Sequence, residues 1–185
     1  IRDLPPTPRY TEQAWYFTGV VYRRHLDEPQ KAIAYYEKVV QTWPDYQYAW
    51  SAQAMLAHCY ETLARSGRMK KEEAEPKIEQ ALTTTVQRYP DCSLAGHACI
   101  TLADLQLQNQ RWDQAAVYLQ QFLERYPQAR EWPTALILLG ITYERRDKPE
   151  IAAELYRSYL ANAGPDDPRV KTVKAKLALE KEVRK

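Results

Sequence analysis

The sequence predicts an all-α fold, an α-solenoid of about four helix-turn-helix repeats closed by a C-terminal capping helix. Three observations predict it. Aromatic–proline pairs punctuate the chain at Trp43-Pro44, Tyr89-Pro90 and Tyr126-Pro127, and Gly164-Pro165 follows in register. From Pro90 to Pro127 and from Pro127 to Gly164 the interval is 37 residues each time. Inside each interval small and bulky residues recur at fixed places, as in stacked repeats.

The first unit spans 11–44, after an extended lead-in over 1–10. Gly19 stands 25 residues before Pro44, Ala32 twelve before it and Tyr36 eight before it. The second unit, 45–90, has Ile78 and Leu82 at the last two places, and the third, 91–127, has Ala103, Ala115 and Leu119. The fourth, 128–165, has Gly140, Ala152 and Tyr156. Each unit reads as two amphipathic helices. In the fourth, Leu136, Leu139, Gly140 and Tyr143 share one face, and Ala152, Leu155, Tyr156 and Tyr159 share the next. Small residues let two helix backbones approach, and large ones fill the space beside them.

Helix ends are predicted from local chemistry. Proline stops a helix because it lacks the N–H donor and clashes with the preceding turn. Asp45 and Asp91, just past their prolines, are expected to cap the following helices. Asp27, Pro29, Gln30 and Ala32 repeat as Asp147, Pro149, Glu150 and Ala152, which reads as a capping box at two helix starts. Unit two carries an insertion over 63–76, expected to be a lengthened, solvated hairpin tip in which Gly67 turns the chain and Pro76 begins the second helix. Residues 166–185 read as the capping helix, with Asp167 as cap, Pro168 in the first turn and Val170, Val173, Leu177 and Val183 on one side.

Composition narrows the function. Lys plus Arg is 26 against 24 for Asp plus Glu, a formal net charge of +2, which gives no electrostatic case for nucleic acid as partner. The basic residues of the last helix read as a solvated face. The longest apolar run, around Ala135–Leu139, is far below the ~20 residues of a membrane span. Five glycines are too few for turn-dense all-β folds or phosphate loops. The chain starts at Ile1 and reads as a processed product or excised piece, with no apolar stretch of a signal peptide in its first residues. The compartment is left open between cell envelope and cytoplasm.

No catalytic signature emerges, and the expectation is a non-enzyme without a cofactor. Cys92, His97 and Cys99 have the flavour of a metal site, but His97 and Cys99 lie two apart on one helix and point in different directions. Cys59, Cys92 and Cys99 read as small core hydrophobes. His58 with Asp104 reads as a polar contact rather than a catalytic dyad.

The repeated residues resemble the tetratricopeptide repeat family. Its pattern of Trp, Leu, Gly and Tyr on the first helix, Ala and Phe/Tyr on the second and a closing Pro is met in unit one by Trp15, Gly19, Tyr22, Ala32, Tyr36 and Pro44. Unit three offers Cys99, Leu102, Ala103, Ala115, Leu119 and Pro127. Unit four offers Leu139, Gly140, Tyr143, Ala152 and Tyr156, while unit two keeps only Leu56, Ala57 and Tyr60 before its insertion. The 37-residue period and the Tyr-Pro junction are similar to variants in bacterial cell-envelope assembly proteins.

The resemblance implies a protein or peptide partner held in a concave groove lined by the first helices. Its inward positions fall on Tyr16, Val20 and Arg23, then Ala54, His58 and Glu61. They continue with Ile100, Asp104 and Leu107, and with Ile137, Ile141 and Glu144. Apolar members would grip the partner and charged ones would set its register. The Lys/Asn arrangement with which some members hold a terminal carboxylate is missing, since Tyr16 and Val20 stand there. The second reading is a structural, self-associating segment of a larger envelope protein or complex.

Overall fold

The structure is a computed structural model that describes residues 11–164 and 166–183. Among these lie nine helices and no strand. They are α1 (Thr11–Arg24), α2 (Pro29–Thr42), α3 (Ala49–Arg65), α4 (Lys71–Arg88) and α5 (Ala95–Gln108). Then come α6 (Trp112–Arg125), α7 (Trp132–Arg145), α8 (Pro149–Asn162) and α9 (Arg169–Val183). Two compact units divide inside α5, residues 1–98 and 99–185. The lead-in over 1–10 and the side chain of Val183 lie outside the described residues.

The aromatic–proline pairs end helices as the residue types require. Trp43, Tyr89 and Tyr126 are C-caps whose N–H groups donate to the carbonyls of Val39, Thr85 and Phe122. Their ψ values of 63°, 52° and 55° are outside the helical region, which the following proline disfavours. Two short turns then carry the chain onward by one recipe. Tyr46, Cys92 and Ala129 donate back to Trp43, Tyr89 and Tyr126, and Ala49, Ala95 and Trp132 donate back to Tyr46, Cys92 and Ala129. In the first unit Tyr89 Oη also donates to the Pro44 carbonyl at 2.9 Å, tying one junction to the previous one.

The small residues sit where large ones press. A Cβ placed on Gly19 would lie 2.8 Å from Tyr36 Cε1, and one on Gly140 closer still to Tyr156 Cε1. Where alanine replaces glycine, at Ala57 and Ala103, the matching bulky positions hold Leu82 and Leu119, all buried. Tyr36, Tyr156, Tyr159, Phe122 and Leu63 are the largest fully buried side chains. Leu136, Leu139, Tyr143, Ala152 and Tyr156 are buried as their spacing predicts, and Leu155 is half-buried.

Five residues expected to start helices do not. Asp27 and Asp147 do not cap: α2 and α8 begin after Glu28 and Lys148, without a side-chain cap. Instead both aspartates have left-handed backbones, with φ of 49° and 57°. Gly67 (φ 70°) and Gln110 (φ 56°) do the same in the other two hairpins. Beyond such a residue the chain folds back on the helix it leaves. Arg68, Arg111 and Lys148 each donate to a carbonyl five residues earlier, at 2.9, 2.8 and 2.9 Å, the hydrogen bond of a Schellman ending. The shared Asp-x-Pro pattern therefore marks a turn with proline opening the next helix, not a capping box.

Asp45 and Asp91 are likewise turn residues, because the double turn delays α3 and α5 until Ala49 and Ala95. Pro76 lies inside α4, which starts five residues earlier at Lys71. It removes the donor that the Glu72 carbonyl would meet, on an exposed side where water replaces it. The insertion is absorbed by longer helices, 17 and 18 residues in α3 and α4 against 14 in their counterparts, so its tip is only the turn 66–70. From that turn Arg68 donates to the Asp27 carbonyl at 2.9 Å and to Asp27 Oδ2 at 2.7 Å, joining two hairpin ends.

The last helix, α9, begins at Arg169, just past Asp167 and Pro168. Asp167 Oδ1 accepts from the Arg169 backbone N–H at 3.0 Å. Val173 is buried, and Val170 and Leu177 are half-buried.

Left-handed geometry costs a side chain about 1–2 kcal/mol and glycine almost nothing. Gln110→Gly should therefore raise the thermal midpoint, and Gln110→Val should lower it, by a change worth about 1 kcal/mol each. Equal midpoints for the two variants would contradict the turn geometry.

Candidate functional site

A cavity of about 380 Å³ opens beside α1 and α3 in the first unit. Helical periodicity builds its walls. Tyr16, Val20 and Arg23 form an i, i+4, i+7 stripe on α1, and Ser51, Met55 and His58 form the same stripe on α3, with Arg24 at the edge. Tyr16 Oη and Ser51 Oγ lie 2.9 Å apart and close one end. The Tyr16 ring is stacked on Tyr48, 5.1 Å between centroids and 19° between planes, with Phe17 and Tyr46 packed edge-on to it. The aromatic end is thus held by rings from α1 and the 43–48 turn.

The other end is cationic. Arg23 Nε donates to the Tyr36 hydroxyl at 3.4 Å, which holds the guanidinium beside the cavity. Burial raises the pKa of Tyr36, and the arginine opposes that shift. His58 Nδ1 stands 3.9 Å from Glu61 Oε2. Burial first, then the Arg23 charge, lowers the pKa of His58, and Glu61 counters them only in part. At neutral pH the imidazole is uncharged and can donate and accept.

Four of the six first-unit residues singled out from sequence come together here: Tyr16, Val20, Arg23 and His58 line the cavity. Glu61 touches it only through His58, and Ala54 is buried, 8% exposed, in the body of α3. Sequence reasoning missed Ser51 and Met55. Their signal was present, since a cavity between two helices is lined by the stripe of each that faces the other. That stripe begins one turn earlier on α3 than the repeat register puts it.

In the second unit Ile100, Asp104 and Leu107 share a stripe on α5, and Ile137, Ile141 and Glu144 share one on α7. All are half-buried except Asp104, which is exposed. Lys176 of α9 donates to Glu144 Oε2 at 2.6 Å. Arg169 donates to Thr134 Oγ1, also at 2.6 Å, so the capping helix is pinned to both ends of α7. His58 lies one helical turn from Glu61 on α3.

Cys59 and Cys99 are buried free thiols and Cys92 is half-buried. Burial pushes Cys59 up to about 12 and Cys99 up to about 11, so neither is a thiolate near neutrality. Among the described residues no group of three His, Cys, Asp or Glu side chains could hold a metal ion. No helix among them is long and apolar enough to cross a membrane.

Two family models, both described as tetratricopeptide repeat, match residues 13–46 and 100–168, together more than half of the chain. The chain belongs to the tetratricopeptide repeat family. The stretch between the matches holds α3 and α4, the pair lengthened by the insertion. No curated protein sequence matches the chain. Solved structures with the same fold include PilW, a widely conserved type IV pilus biogenesis factor. It has a TM-score of 0.59 and 18% identity over 89% of this chain and 68% of that one. MamA gives 0.58 and 17% over 90% and 84%. A kinesin light chain with tetratricopeptide-like repeats from Podosopora anserina gives 0.57 and 14% over 95% and 86%. At such identities these likenesses establish an all-α helical-repeat solenoid, the fold of general protein-interaction scaffolds.

The His58 environment makes a pH prediction. Its folded-state pKa is depressed, so the unfolded chain takes up the proton first, and stability falls as pH drops through the ordinary value of 6.5. An NMR titration of the ring should place the midpoint below 6.5, and Arg23→Gln should move it upward. A midpoint above 6.5 would mean that Glu61 dominates and the cationic end is misassigned.

Proposed function

We propose that this chain is a non-catalytic interaction module that holds a segment of another protein against the first helices of its pairs. The cavity between α1 and α3 is its anchoring point. The observation that carries this reading is the matched pair of stripes, Tyr16–Val20–Arg23 and Ser51–Met55–His58, around about 380 Å³ of space. Such a volume lies within the range of ~300–1,000 Å³ for ligand sites. Val20, Met55 and the Tyr16 ring offer an apolar wall for one side chain of the guest. Arg23, Arg24 and His58 offer donors that orient its polar neighbours. Ile100, Leu107, Ile137 and Ile141 supply half-buried apolar positions on the first helices of the second unit.

Rigid helices hold these groups in place before the guest arrives, which limits the entropy lost on binding. The depressed pKa of His58 and the buried thiols fit a recognition surface better than a reacting one. The test is a peptide array probed with the full chain. Peptides that bind the wild type should lose at least tenfold in affinity to both Arg23→Glu and Met55→Glu, while Lys38→Glu, on the exposed side of α2, should leave them unchanged. Retention of full affinity by both cavity variants would overturn this assignment.

A further inference from the structure

Elsewhere in this fold, cations drawn toward the protein body are met by carboxylates. Arg68, Arg146 and Arg169 each meet an aspartate at 2.7 Å, and Lys176 meets Glu144 at 2.6 Å. Arg23 departs from this. It is half-buried, its Nε donates only to the neutral hydroxyl of Tyr36, and among the described residues no carboxylate pairs with it. Arg24 stands beside it at the cavity edge, and no Asp or Glu among the described residues lines the cavity. A cation taken part-way out of water without a counter-ion loses hydration that nothing offsets. A carboxylate brought by a guest would offset it, because the planar fork of a guanidinium matches the two carboxylate oxygens.

His58 is the second donor at this end. The charged groups that face it are Arg23 from α1 and Glu61 and Arg65 from its own helix, while Tyr36 of α2 reaches the set through Arg23 with an uncharged hydroxyl. Burial and the two arginines outweigh Glu61, so the free ring is neutral near pH 7. A guest carboxylate would reverse that balance and draw a proton onto the ring. The rest of the wall is Val20, Met55 and the Tyr16 ring, which calls for an apolar side chain next to the acidic one.

We propose that the occupant of this cavity is a partner segment carrying an aspartate or glutamate next to an apolar residue, with the side-chain carboxylate between Arg23 and His58 and the apolar group on Val20 and Met55. The inference rests on the reading of the cavity as the anchoring point and gives the guest its chemistry. Tyr16 and Val20 occupy the places from which a chain-terminal carboxylate would be held, which leaves a side chain as its source. A single carboxylate also matches the one half-buried arginine, whereas a phosphate brings about two charges and three acceptor oxygens.

The test is fluorescence anisotropy of the full chain with amidated peptides that hold Glu, Gln or phosphoserine between two leucines in a Gly/Ser frame. Near neutral pH the Glu peptide should bind saturably and at least fivefold more tightly than the Gln peptide. Arg23→Gln should erase that difference, and Met55→Glu should weaken both peptides. In NMR spectra the Glu peptide should raise the titration midpoint of the His58 ring, and the Gln peptide should leave it in place. Affinity for the Glu peptide should accordingly rise severalfold as pH falls from about 7.5 to about 6, and His58→Gln should remove this dependence. Equal affinity for the Glu and Gln peptides, both weakened by Met55→Glu, would overturn the acidic guest and leave the cavity as an anchoring point. Binding insensitive to Met55→Glu, or no saturable binding by any peptide up to about 1 mM, would overturn both. Tighter binding of the phosphoserine peptide, or of a peptide whose second leucine ends in a free carboxylate, would assign the cavity to that anion and overturn the side-chain carboxylate.

Discussion

Paired helices in this protein are held at their spacing by a ring that occupies the place of a missing side chain. Tyr156 lies so close to Gly140 that no Cβ fits between them, and Tyr36 does the same at Gly19. Where the small residue is alanine, the large one shrinks to leucine. Summed volume is conserved while the individual residues change, which is the form of substitution that close-packed interiors tolerate best. The spacing set by this fit decides where the next turn must fold back, and so where the following helix presents its stripes. The cavity between α1 and α3 is a consequence of it.

Much of this architecture was legible in the sequence because it rests on side-chain size and on proline. Gly19, Ala103 and Gly140, with Tyr36, Leu82, Leu119 and Tyr156, are visible as a period before any coordinates, and Ala57 follows from the family resemblance. Trp43, Tyr89 and Tyr126 end their helices because the residue before a proline is kept out of the helical region. Backbone handedness was not legible. Asp27, Gln110 and Asp147 adopt the conformation that Gly67 adopts freely, and nothing in an Asp-x-Pro string separates a left-handed turn residue from a cap. Pro76 misled for a related reason: proline marks a helix start only when the start is not already fixed upstream, here at Lys71.

The site was legible in part. Four cavity residues were found from the repeat register because α1 presents the expected stripe. The α3 stripe was placed one turn too far along, since register aligns repeats with each other and not with the space between them. The partner of Glu144 within the fold, Lys176, was not legible because it lies in the capping helix and outside the repeat. That contact links α9 to α7.

The most direct measurement of the central claim is a double-mutant cycle at Gly140 and Tyr156. In wild type, Gly140→Ala should lower stability by about 1–3 kcal/mol, the cost of forcing a methyl group against the ring. In a Tyr156→Leu background the same change should cost nothing or stabilise, because alanine is worth roughly 0.5–1 kcal/mol more than glycine inside a helix. An equal penalty in both backgrounds would show that the two residues do not share one space, and the account of how the pairs are held would fall.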